Sequence, residues 1–118
     1  MGSPSIDENA HAPILTKPDM IAFRSHYLDE ADYRHPYASP LFADDHAGLP
    51  PALIQVAEHD PLRDDGHRYA ERLRAAGVPV RLTEYAGMPH GYAWFPRICR
   101  SAGQALAELC AEQRAAFT

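Results

Sequence analysis

Histidine 90 stands in "AGMPHGYAWF", residues 86–95, between a proline and a glycine and ahead of three aromatics. An imidazole near its ordinary pKa takes up and returns protons at neutral pH. Alone it has no preferred tautomer or direction. A carboxylate bonded to one ring nitrogen fixes both, and it stabilises the imidazolium formed during turnover. Asp60, in "EHDPLRDDG", follows a short apolar run upstream and is the candidate carboxylate. Each residue also has a plainer reading. A histidine can simply occupy a turn, Asp-Pro is a common turn opener, and Asp64 or Asp65 can cap a following helix. Gly91 permits a sharp turn behind His90, and Tyr92, Trp94 and Phe95 can exclude water around it. A nucleophile is harder to find. The serines are Ser3, Ser5, Ser25, Ser39 and Ser101, and none sits in a Gly-x-Ser-x-Gly turn after a strand.

The elements that would position this pair are legible. Residues 1–15 carry no periodicity and read as an irregular arm. "TKPDMIAFRSHYL" reads as a helix over 17–28: Thr16 and Asp19 can cap reciprocally, Pro18 sits in the tolerant first turn, and Met20, Phe23, Tyr27 and Leu28 share a face. Residues 34–51, rich in proline, read as a stiff extended loop. "ALIQVA", 52–57, is an apolar run that suits a strand buried on both faces, hence a parallel sheet. A helix follows, with Tyr69, Leu73 and Ala76 at helical spacing and Gly77 at its end. "VPVRLTEY", 78–85, is a second strand, and a last helix is expected over 97–116. Residues 52–118 thus form a strand–helix–strand–helix unit within one α/β domain. A crossover of this kind is right-handed and sets both strand ends at one edge of the sheet. Asp60 lies just past the first strand and His90 past the second, at the carboxyl edge where open α/β sheets place their sites.

Composition removes several function classes. One lysine and ten arginines face 16 acids in short mixed runs, for a formal charge of −5, so neither nucleic acid nor an anionic membrane surface is an expected partner. No apolar run reaches the length of a membrane span. No secretory signal is visible, and the opening "MGS" suits a cloning remnant or a start placed inside a longer gene; a cytoplasmic location is expected. Cys99 and Cys110 fall in one predicted helix, roughly 16 Å apart along its axis, too far to pair with each other. Both read as small packing residues. The seven histidines, His11, His26, His35, His46, His59, His67 and His90, show no zinc-ligand spacing.

"LPPALIQVAEHDPLRDDGHRYAERLRAAGVPVRLTEYAGMPHGY" closely resembles the C-terminal part of the bacterial hormone-sensitive-lipase-type esterases, a branch of the α/β-hydrolase fold. "HDPLRDDG" is similar to that family's catalytic-acid segment, and "HGY" stands where the family has His-Gly-Phe. The likeness extends less sharply through "SPLFADD" and back to "FRSHYL". It implies the C-terminal portion of an α/β-hydrolase, about two parallel strands with flanking helices. It further implies that Asp60 is the acid and His90 the base of a catalytic triad. Pro61, Leu62, Asp64, Pro89, Gly91 and Tyr92 would support the site or line its pocket. The family's oxyanion His-Gly-Gly motif and its Gly-Asp-Ser-Ala-Gly-type nucleophile elbow are not among these 118 residues.

The resemblance therefore leads us to expect a fragment of a serine carboxylesterase or lipase, needing no metal or organic cofactor and acting on small acyl esters in the complete enzyme. Alone it should be inactive. A prolyl-oligopeptidase-type peptidase has a similar acid-then-histidine order, although "DPLRDDG" argues against it. A rival of another class is a non-catalytic association module. Two strands are marginal in water, so a homo-oligomer formed through a strand edge or an exchanged arm is expected.

Overall fold

The computed structural model describes residues 2–118; Met1, part of the expected arm and of the opening triplet, lies outside them. Six main elements run in the order α1 (Pro4–Glu8), α2 (Lys17–Tyr27), β1 (Ala52–His59), α3 (Arg63–Ala75), β2 (Val80–Pro89) and α4 (Arg100–Ala116). Short 3-10 turns occupy Glu30–Asp32, Pro40–Phe42 and Tyr92–Trp94. β1 and β2 pair in parallel, with α3 as the crossover between them.

Side chains alternate across this strand pair, so successive residues of β1 serve opposite layers. Ile54 and Val56 face α3, where a Cβ added at Gly66 would clash with Val56 Cγ1. A bare glycine is thus what lets the helix lie directly on the strand. Gln55 and Ala57 face α4. Ala57, Tyr85, Tyr92, Ala102 and Ala105 form a buried cluster there, with Met88 and Cys99 packed against it.

Glu108 holds α4 to both strands. Its carboxylate accepts hydrogen bonds from Thr83 Oγ1 (2.6 Å), Gln55 Nε2 (2.8 Å) and Tyr85 Oη (2.9 Å), and pairs with Arg81 Nε at 2.7 Å. The Thr83 hydroxyl and the Gln55 amide stabilise its charged form more than burial opposes it, and its pKa is held down to about 2. Burial, with the adjacent carboxylate, pushes the Tyr85 phenol up to about 12.

Four expectations are corrected. The arm contains α1, because Ser5 and Ile6 are buried against the body of the chain. β2 runs on through Pro89 rather than ending at Tyr85. α4 starts at Arg100, leaving Cys99 at its N-cap, outside the helix. α3 is capped by neither Asp64 nor Asp65: Leu62 is the N-cap and supplies no side-chain bond, while both aspartates accept bonds from the N-terminal segment. In α2 the Thr16–Asp19 capping box is present, yet no residue of the helix is buried, and Phe23 and Tyr27 are exposed.

A carboxyl group whose folded pKa is depressed stabilises the fold above its unfolded pKa, and that stability is lost as pH falls through the folded value. Glu108→Gln should therefore cost about 1–3 kcal/mol at neutral pH. The gap to the wild type should narrow between the ordinary glutamate pKa of 4.5 and about 2. Urea unfolding at a series of pH values measures this, and a gap independent of pH would rule out the ionised hub.

Candidate functional site

The site begins with strand register. From Ala52↔Val80 to Ala57↔Tyr85 the partners differ by 28 positions, but at the end of the ladder His59 pairs with Pro89, a difference of 30. β2 has taken up two extra residues. Gly87, at φ 70°, lies in this bulge, and its N–H donates to Glu58 Oε2 at 2.6 Å. A slip of two keeps every later side chain on its original face. Asp60 and His90, the next residues on the two strands, are thereby level with each other. Uninterrupted pairing would have set Asp60 beside Met88.

The two side chains meet. His90 Nδ1 lies 2.9 Å from Asp60 Oδ2. An ionised carboxylate can only accept, so Nδ1 carries the proton and Nε2 is left as the basic nitrogen. The second carboxylate oxygen, Oδ1, accepts the Leu62 N–H at 2.8 Å, which fixes the carboxylate plane within its own turn. The Asp60 side chain is 13% exposed and the His90 side chain 37%. The acid is thus embedded while the base reaches an open space. Gly91 follows at φ 71°, a left-handed conformation that a residue with a Cβ adopts only at a cost.

The turn carrying Asp60 is gripped from far along the chain. Ser5 Oγ donates to the Pro61 carbonyl at 2.8 Å, and Ser5 N donates to Asp64 Oδ2 at 2.8 Å. Arg63 bridges Glu8 (2.6 Å) and Asp64 (3.0 Å). Burial raises the pKa of Asp64, but the Ser5 N–H and Arg63 outweigh it and hold the group below its usual range. Ser3 bonds Asp65. Pro61 is fully buried in this clasp. Ser5 is the supporting residue that sequence reasoning missed: its partners lie 56 and 59 positions away, and no local pattern signals such a pairing.

The expected neighbours of His90 divide. Tyr92 is buried, but it turns into the α4 cluster with its ring centroid 5.2 Å from that of Tyr85. Trp94 is 83% exposed and Phe95 half exposed, so they do not seal the site as expected. Leu62 and His90 instead line an open cavity of about 830 Å³ between α1, α2, the 34–51 loop and α3. That volume lies within the range of small-molecule pockets. Among the described residues no group of three His, Cys, Asp or Glu side chains gathers to hold a metal, and no helix is long and apolar enough to cross a membrane.

Residues 1–94 match the model of a family described by its alpha/beta hydrolase fold. The chain belongs to that family. It is 46% identical over 104 residues to esterase LipI of Mycobacterium tuberculosis, a match covering 86% of this chain and 32% of that protein. With the hormone-sensitive lipase of Ictidomys tridecemlineatus it shares 43% identity over 82 residues, 68% of this chain and 11% of the lipase. Among solved structures, the carboxylesterase EstE1 from a metagenomic library superposes with a TM-score of 0.93 at 35% identity, covering 98% of this chain and 40% of EstE1. The chain is thus similar to part of these esterases and spans about a third of the length of LipI.

If the Glu58–Gly87 bond fixes the bulge, Glu58→Ala should speed hydrogen exchange at the Gly87 amide and broaden the His90 ring signals in NMR spectra. The amides of 52–57 should keep their protection, and no change at His90 would separate the bulge from the site.

Proposed function

We propose that this chain supplies the acid and base of a serine carboxylesterase site, with Asp60 as the acid and His90 as the base. The observation that carries the reading is the bond from His90 Nδ1 to Asp60 Oδ2 at the matched ends of two parallel strands, beside an open cavity. Esterase LipI and EstE1, to which the chain is similar, give the reaction class.

In the complete enzyme His90 Nε2 accepts the proton of an attacking serine hydroxyl as the tetrahedral adduct forms. It then returns that proton to the leaving alcohol and activates water against the acyl-serine. Asp60 stays ionised throughout, holding the imidazole in one tautomer and offsetting its transient positive charge. Leu62 N–H and the Ser5–Pro61 clasp are positioning groups for Asp60 and do not touch substrate. The acid–base pair alone forms no acyl-enzyme, so the isolated chain should not hydrolyse p-nitrophenyl acetate with saturation kinetics.

In an enzyme that joins this segment to a nucleophile-bearing part, Asp60→Asn should lower kcat by about four orders of magnitude with the fold retained, because the imidazole loses its productive tautomer. Asp65→Asn, which touches Ser3 and not His90, should cost far less. Equal losses would assign the acid wrongly.

A second reading concerns association and rests on the sheet. β1 pairs only with β2 among the described residues, so its other edge offers backbone donors and acceptors to a further strand. The chain should accordingly form a homodimer or larger assembly at micromolar concentration. Sedimentation equilibrium reads this directly, and a compact monomer throughout would remove it.

A further inference from the structure

The cavity beside His90 is mainly apolar, but one wall carries a positive charge that no acidic side chain among the described residues pairs with. Arg24, on the exposed helix α2, lines it together with Phe23 and Tyr27. Its Nε is buried without a hydrogen-bond partner. The arginine ion pairs of the described residues engage Arg63, Arg68 and Arg81, not Arg24. Its guanidinium carbon sits 4.0 Å from the centroid of the Tyr33 ring, and Tyr33 lines the same cavity. Stacking on an aromatic face fixes the guanidinium plane while leaving its N–H edge free, the edge that matches a carboxylate with two parallel bonds.

The other charges of the cavity are already engaged. Asp65 accepts from the Ser3 hydroxyl and faces Arg68 Nη1 at 3.9 Å; Arg68 also donates to Ser3 Oγ at 3.2 Å. His90 is committed to Asp60 through Nδ1. One unanswered positive charge remains, in a cavity that also contains a carboxylate. That balance suits a monoanion and disfavours a dianionic phosphate.

We propose that Arg24 is a specificity-determining residue that binds a carboxylate on the substrate, so that the preferred esters are half-esters of short dicarboxylic acids. Their ester end is presented toward His90 and their free acid to Arg24. The assignment rests on the esterase reading for the ester group, while the anion site itself stands on Arg24, Tyr33 and the cavity. Apolar walls hold the methylene chain between the two ends, and the substrate carboxylate accepts from the buried Nε–H that otherwise has no partner.

The test measures binding and needs no turnover. The 118-residue chain is titrated with monomethyl glutarate and with dimethyl glutarate, and the shifts of backbone amides in α2 and at His90 are followed by NMR. The monoester should bind at least about tenfold tighter than the diester, as expected of a charge-assisted pair. Arg24→Gln should abolish the preference and Arg24→Lys should keep part of it, with circular dichroism verifying that each variant retains its helices. Equal affinities in the wild type, a preference that survives Arg24→Gln, or no binding of the monoester would each overturn the proposal. The esterase reading is judged separately, by hydrolysis in the serine-bearing enzyme. Loss of hydrolysis with the anion preference intact would count against that reading alone, whereas hydrolysis indifferent to the free carboxylate would count against Arg24 alone.

Discussion

The parallel pairing of β1 with β2, and the two-residue slip near its end, is the constraint on which the rest depends. Parallel strands end on one side of a sheet, but ending on one side does not make two given residues meet. Here the slip does so, by bringing Asp60 and His90 level after 28-residue pairing has become 30-residue pairing. The bulge is held by a side chain of the neighbouring strand, since Glu58 accepts the Gly87 N–H. A local irregularity of β2 is thus fixed by β1, which also delivers the acid one residue later than its last paired position.

The strand pair is held differently on its two faces. Against α3 it relies on close contact, with Gly66 over Val56. Against α4 the contact is part small-residue packing, at Ala102 and Ala105, and part polar, through Glu108 and the three side chains and one guanidinium that converge on it. A carboxylate so far withdrawn from water is tolerable only because its partners are nearly complete. Tyr85 joins both halves, donating to Glu108 while its ring meets Tyr92, the residue two past His90.

Much of this was readable from residue order. The apolar run at 52–57, the Thr16–Asp19 box and the strand–helix–strand order each rest on local rules, and α2, β1 and α3 appear where those rules place them. The placement of Asp60 and His90 at one edge of the sheet followed from the parallel topology, whereas their meeting needed the two-residue slip. What escaped was non-local. Ser3 and Ser5 engage Asp65 and Asp64 in place of the helix-capping role those aspartates invite, and α1 exists only because it docks there. The extension of β2 through Met88 and Pro89 escaped for a related reason: a glycine and a proline look like a turn until Glu58 claims the glycine's N–H. Arg24 reads in the sequence as an ordinary polar position on a helix, and only the shape of the cavity gives it a context.

The clasp of Ser5 on the turn after β1 also bears on the order of assembly. Its bonds close loops of 56 and 59 residues, against 30 for the Asp60–His90 contact and three for the Thr16 cap. Closure entropy grows only slowly with loop length, but a contact this distant forms readily only once the elements between its ends have condensed. The acid-bearing turn therefore acquires its final rigidity late, after the sheet and α3 are in place. The geometry of the Asp60–His90 pair is a property of the finished chain, and fraying of a few residues near the amino terminus would loosen a carboxylate more than fifty positions away.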